Sequence, residues 1–193
     1  MKNLLSEIRN CRVCKDHLPY APRPIIQAGT HSKIVITGQA PGLKVQQSGV
    51  PWDDVSGDNL RDWLGVDSPT FYNESHFALL PMGLCFPGTG KTGDLPPRSE
   101  CAPLWHQKVF HQISDVKLTL LIGQYAQQYY LKDQCQRTLT ETVRHYEDYL
   151  PNFLPLPHPS PRNNIWQKKN AWFKEDLIPV LQEKVGFILR GTF

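Results

Sequence analysis

Residues 33–52 read KIVITGQAPGLKVQQSGVPW. The segment opens with Ile34-Val35-Ile36, an apolar β-branched run between polar flanks, which predicts a buried strand of a parallel sheet. The strand breaks at Gly38, and Gly38-Gln39-Ala40-Pro41-Gly42 predicts a turn. Its two glycines allow close backbone approach, while Pro41 stiffens it and removes one donor. Open α/β sheets place ligand sites at the carboxyl ends of their strands, which is where this turn falls. Gly49-Val50-Pro51-Trp52 then presents an aromatic ring on a second constrained turn. A polar, glycine-bearing loop followed by a fixed aromatic predicts a pocket for something flat.

The flanking segments build an alternating pattern. Leu4, Leu5 and Ile8 have helical spacing, and three prolines make 17–26 an extended connection. Residues 56–65 predict a helix that starts at a capping serine, Ser56, and stops at Gly65. Residues 76–84 predict a second strand, 117–122 a third and 153–156 a short fourth. Helices are predicted over 104–113, 123–131, 139–149 and 170–185, the last despite Pro179. Strands alternating with helices imply a three-layer α/β/α sandwich on a short, mainly parallel four-stranded sheet. No repeat or boundary divides the chain, so one domain over 1–193 is expected.

Composition narrows the class. The 193 residues are enough to bury a sizeable core, and 40% hydrophobic with 20% charged residues is ordinary for a soluble globular chain. A net charge of +3 permits a polyanionic partner without demanding one. No apolar run reaches membrane-spanning length, and the first residues, MKNLLSEIRNCRVC, lack a signal-peptide core. A cytoplasmic location is expected, where disulfides are rare, so the five cysteines need another explanation.

Cys11 and Cys14 form a CxxC pair, and Cys85 and Cys101 each edge a proline- and glycine-rich loop. Four thiolates with one close pair suit a tetrahedral zinc or a four-iron cluster. Separate buried thiols or a redox-active pair would use the same residues. The wide second spacing tilts the choice from a zinc ribbon towards a cluster, and Cys135 reads as a bystander. Pro87-Gly-Thr-Gly-Lys-Thr92 imitates a phosphate-binding loop, but Cys85 stands where the motif needs its first glycine. Pro96 and Pro97 also block the helix that would have to follow. Nucleotide hydrolysis is therefore rejected, while contact of the loop with phosphate stays open.

Pro157-His158-Pro159-Ser160-Pro161-Arg162-Asn163-Asn164 sets an imidazole, a hydroxyl and a guanidinium on a proline-stiffened loop after the last strand. Flanking prolines reduce the entropy lost in fixing the ring, which favours a functional histidine over a packed one. Beyond it Lys168, Lys169 and Lys174 alternate with Trp166, Trp172 and Phe173. That pattern is either an amphipathic helix with a solvated basic side or a nucleic-acid contact with a wedge for the base stack.

Taken together these pieces resemble the uracil-DNA glycosylase superfamily, particularly its iron–sulfur branch first known from thermophiles. Gly38-Gln39-Ala40-Pro41-Gly42 matches the family's GEAPG except for glutamine, and Gly49-Val50-Pro51-Trp52 falls on GRPF. HPSPRN at 158–163 is similar to the second motif of the single-strand-selective branch, which carries no cluster. The resemblance spans essentially the whole chain. It implies DNA as partner, a monomer, and a structural 4Fe-4S cluster on Cys11, Cys14, Cys85 and Cys101, with zinc as the lesser alternative. A base inside a duplex is unreachable, so the nucleotide must be flipped out. Trp52 would stack on it, while Gly38, Gln39, Ala40, Pro41 and Gly42 would line its pocket. His158 would donate to the base as negative charge develops. Ser160 would hold a flanking phosphate, and Pro161, Arg162, Asn163 and Lys168 would contact DNA.

Two positions depart from the family. The carboxylate that helps position water in several branches is replaced by Gln39, leaving Asp53 or Asp54 either as the candidate substitute or as surface carboxylates capping the next turn. The asparagine that reads uracil in the iron–sulfur branch falls on Pro81, which offers no side-chain donor or acceptor. Altered or retargeted excision of uracil or a related base is therefore expected. The competing expectation is a lesion-binding protein of the same fold that has lost turnover.

Overall fold

The structure, a computed structural model, describes residues 1–191. Its sheet has four strands, β1 Ile34–Thr37, β2 Phe77–Leu79, β3 Leu118–Ile122 and β4 Phe153–Leu156. Their order is β2-β1-β3-β4 and every pairing is parallel. Strands buried on both faces read as unbroken apolar runs, and β1, β2 and β3 are buried at every residue. Side chains alternate between the faces: Ile34, Ile36, Phe77 and Leu79 belong to one core, and Val35 and Ala78 to the other.

Helices cover both faces. Among the described residues these are α1 Lys2–Arg9, α2 Leu43–Ser48, α3 Val55–Leu64, α4 Ser68–Phe71, α5 Cys101–Gln112, α6 Gln124–Leu131, α7 Leu139–Arg144, α8 Asn164–Lys169 and α9 Ile178–Arg190. On one face α3 (Leu60, Trp63, Leu64), α7 (Val143) and α9 (Leu181, Val185) close on the sheet. On the other, α1 (Leu5, Ile8) and α5 (Trp105, Val109) do so. Each fully buried aliphatic or phenyl side chain contributes about 1.5–3 kcal/mol of transfer free energy. The expected three-layer architecture on a parallel four-stranded sheet is present.

Several boundaries differ from the sequence reading, each for a local reason. The helix expected to begin at Ser56 is capped two residues earlier, by Asp54 accepting from Gly57 N at 2.9 Å. The second strand stops at Leu79, and Pro81, which cannot donate, ends regular pairing. The helix expected over 139–149 stops at Arg144 and tightens into a 3-10 turn, Tyr146–Tyr149. Pro179 is accommodated because α9 follows a π-helical turn, Phe173–Leu177, which puts the proline in the first α-helical turn. Helix α2 was not anticipated. Gly49 closes it at φ 78°, and Arg23 donates to the carbonyls of Gln46 and Gln47 at its carboxyl end.

Candidate active site

The carboxyl ends of β1, β2 and β4 open onto one cleft of about 440 Å³. Gly38, Gln39, Ala40, Pro41 and Gly42 line it, together with Trp52, Asp54, Pro81, His158, Ser160, Arg162 and Asn163. Thus the turn after β1 and the aromatic turn meet in space with the histidine loop, more than a hundred residues further along the chain. Lys168 does not line the cleft; it is exposed on α8. Asp53 and Asp54 separate: Asp54 faces the cleft and Asp53 does not.

Trp52 is held in an unusual backbone state, φ 59°, a left-handed conformation that an aromatic residue rarely adopts. Its surroundings over-determine it. Tyr72 Oη donates to the Pro51 carbonyl at 3.0 Å. Gly57 allows α3 to start directly beneath, since a methyl group there would sit 1.8 Å from the Trp52 carbonyl oxygen. The indole packs against Gly38, where a methyl would lie 2.8 Å from Cζ2. The glycine of the first turn therefore exists so that the ring can lie against the backbone.

The histidine loop is anchored to the same helix. Asn59 of α3 donates through Nδ2 to the Pro159 carbonyl at 2.7 Å, and Asn163 Nδ2 donates to the His158 carbonyl at 2.7 Å. The backbone N–H of Ser160 donates to His158 Nδ1 at 3.2 Å. A nitrogen that accepts carries no proton, so in the neutral ring the proton resides on Nε2. Burial lowers the His158 pKa below its ordinary value, with the Asp54 carboxylate opposing that shift, which favours the neutral ring. The loop thus presents a single Nε2–H donor beside the indole.

The two positions that depart from the family motifs are each committed elsewhere. Gln39 Nε2 donates to the Leu95 carbonyl at 3.0 Å. The Pro81 carbonyl accepts from Nε2 of His106, whose Nδ1 meets the hydroxyl of Tyr130. Burial pushes the His106 pKa down to about 4. Sequence reading missed three contributors: His106, which holds Pro81; Asn59, which ties α3 to the histidine loop; and Asp94, which stands at the cleft's lip. No local spacing marks any of them, because each acts across a long sequence separation.

Of the two readings of residues 166–174, the structure takes the amphipathic one, with Lys168, Lys169 and Lys174 exposed and the aromatics forming no wedge. Trp166, Trp172 and Phe173 turn inward and stack edge-on against each other, and Trp166 Nε1 donates to Thr140 Oγ1 at 2.8 Å. The exposed apolar residue beside the histidine loop is Ile165, at 69%.

Among the described residues no group of three or more His, Cys, Asp or Glu is arranged to hold a metal ion. Cys11, Cys14, Cys85 and Cys101 nevertheless ring one small void, walled by Leu18, Pro22, Pro24, Leu84 and Trp105. All four are free thiols. Burial pushes Cys85 up to about 12 and Cys101 up to about 11, and the neighbouring cysteines add to both shifts. The Nε of Arg98 and the Nε1 of Trp105, both on residues lining this void, are buried N–H donors without a partner. Thiols converging from three chain segments, with orphaned donors around them, fit a sulfur-rich group that accepts hydrogen bonds at its sulfurs. Cys135 is not part of the ring.

The family model of the uracil DNA glycosylase superfamily matches residues 26–182, from the segment before β1 into α9. It covers every strand and every cleft-lining residue except Ile25. The chain belongs to the uracil DNA glycosylase superfamily, whose members are in general glycosylases acting on DNA.

Proposed function

We propose that this chain is a DNA glycosylase that excises uracil or a related damaged base by flipping it into the cleft and hydrolysing the N-glycosidic bond. The carrying observation is Trp52 and His158 side by side, rings 5.9 Å apart, with Nε2–H as the free donor. In the reaction the C1′–N bond breaks and its electron pair leaves with the base. Water supplies the hydroxyl to C1′, and its displaced proton balances the charge on the departing base. Trp52 stacks on the base, and the His158 Nε2–H steadies the developing anion as oxyanion-hole donors do. Ser160 holds a flanking phosphate, and Arg162, Asn163 and Lys168 contact the strand. No helix among the described residues is long and apolar enough to cross a membrane.

Cys11, Cys14, Cys85 and Cys101 would hold an iron–sulfur cluster. Bound there, such a cluster would tie the segment after α1 to the loop leading to α5. Base identity is read without a side-chain amide at Pro81, which supports discrimination less strict than for uracil alone.

Purified protein incubated with oligonucleotides containing uracil, hypoxanthine or xanthine, then treated with alkali, tests the reading. Strand cleavage with at least one base, lost in His158→Ala, is expected. Tight lesion binding with no cleavage on any oligonucleotide would overturn catalysis in favour of a lesion binder.

A further inference from the structure

The cleft has two carboxylates at its mouth. Asp54 is partly committed, since its Oδ1 caps α3 at Gly57 N. Asp94 comes from the loop whose GTGKT sequence imitates a phosphate-binding motif. In the structure that loop is a small hairpin. Gly90 N donates to the Gly93 carbonyl and Leu95 N to the Gly88 carbonyl, with Thr89 and Asp94 bridged across it. Gly88 and Gly93 have φ of 110° and 147°, so its glycines serve the turn and not a phosphate cradle.

Two long-range bonds bring this hairpin over the cleft. Gln39 donates to the Leu95 carbonyl, and Arg162 Nη1 donates to the Thr92 carbonyl at 3.1 Å. Asp94, between those anchor points, is directed at the first turn. A methyl group on Gly42 would lie 3.4 Å from Asp94 Oδ2 and 3.9 Å from Asp54 Oδ2, so both carboxylates converge on one point of the cleft wall.

We infer that Asp94 supplies the water-positioning carboxylate that Gln39 cannot, delivered from the hairpin and not from the first motif. This rests on the glycosylase reading above. Asp94 accepts one proton from the attacking water as its oxygen bonds to C1′. The C1′–N pair departs with the base, and the proton later returns to solvent or to the released base. Gln39 keeps a role as the tether that holds the hairpin in place. Partial burial raises the Asp94 pKa, with the Arg162 guanidinium opposing and Asp54 reinforcing the shift. The charged and titratable groups facing it are Asp54 before α3, and His158 and Arg162 on the histidine loop.

Single-turnover excision by the full chain, on whichever base the oligonucleotide panel identifies, tests the assignment across pH. Asp94→Asn should lower the rate by about 10²-fold or more while DNA binding stays within threefold, the range expected for loss of a general base. The wild-type rate should fall as pH drops through a value above the usual aspartate range, and this acidic limb should vanish in the variant. Asp94→Glu should recover part of the rate, which a merely structural role would not produce. A wild-type rate and pH profile retained in Asp94→Asn would overturn the assignment and leave the glycosylase reading intact. No excision by the wild type on any base would overturn both.

Discussion

The indole of Trp52 and the imidazole of His158 stand 5.9 Å apart with their planes 33° from parallel. A flat ring held between them would need about 7 Å, two contact distances of about 3.5 Å each. The bound base must therefore lie on one ring and meet the other with its edge. Because His158 offers a polarised N–H and Trp52 a broad face, the division of labour follows: Trp52 stacks and His158 donates. Trp52→Ala should weaken binding of lesion DNA, whereas His158→Ala should lower the single-turnover rate by about 10²–10³-fold with binding little changed. Titrations followed by fluorescence anisotropy, beside excision assays, separate the two effects. Equal loss of binding in both variants would contradict this division.

The position of the indole depends on two glycines more than on any hydrogen bond. A methyl at Gly38 would meet Trp52 Cζ2 at 2.8 Å, the edge of a side chain that can swing away. Gly38→Ala should therefore leave stability within about 1 kcal/mol and still depress excision, because the ring leaves the cleft wall. At Gly57 the methyl would meet backbone, the Trp52 carbonyl oxygen at 1.8 Å, so Gly57→Ala should cost both activity and stability, by about 1–3 kcal/mol. Thermal melts with excision rates on both variants check the contrast.

How much of this was legible beforehand follows from the range of the interactions. Ile34-Val35-Ile36 and the run 118–122 announced strands because burial on both faces demands unbroken apolar residues. Gly38–Gly42, Trp52 and His158 were visible because glycine, proline and an aromatic in short compass have few other uses. Asp54 was offered both as a cleft carboxylate and as a cap on the next turn, and it does both, although the helix start itself was read at Ser56. Asp94 was not found, because its loop was weighed as a nucleotide or phosphate site and not as the source of a cleft carboxylate. The inward turn of Trp166, Trp172 and Phe173 was also unreadable: alternation with lysines looks the same whether the aromatics face DNA or the core.

His106 offers a prediction about stability. It is buried between the Tyr130 hydroxyl and the Pro81 carbonyl, and burial takes its pKa down to about 4 from an ordinary 6.5. The folded state thus binds fewer protons than the unfolded chain between those values. The contribution of neutral His106 is fully present above pH 6.5 and declines as pH falls towards 4, by up to about 3 kcal/mol. Urea midpoints measured between pH 7.5 and 5 should fall in the wild type. The fall should flatten in His106→Gln, which also starts lower because Tyr130 and Pro81 lose a partner, a loss of about 1–3 kcal/mol. Identical slopes in the two proteins would remove His106 as the cause.

The thiol ring makes a separate prediction, independent of catalysis. If Cys11, Cys14, Cys85 and Cys101 hold an iron–sulfur cluster, protein purified without oxygen should be brown and contain iron and inorganic sulfide. Cys85→Ser should lose colour and melt at a lower temperature, because the tie between the segment after α1 and the loop before α5 goes with it. Trp105 sharpens the test. Its indole N–H is buried without a partner on the wall of the void, and Lys108 Nζ lies 4.7 Å from the ring centroid. Trp105→Phe keeps an aromatic face for Lys108 and deletes only the donor. A hydrogen bond to a cluster sulfur favours the reduced, more negative state, so its removal should shift the reduction potential to a more negative value while colour persists. Voltammetry on the two proteins reads that shift. Colourless protein carrying zinc would replace the cluster by a single tetrahedral ion, and an unchanged potential would show that the indole N–H does not face the sulfurs.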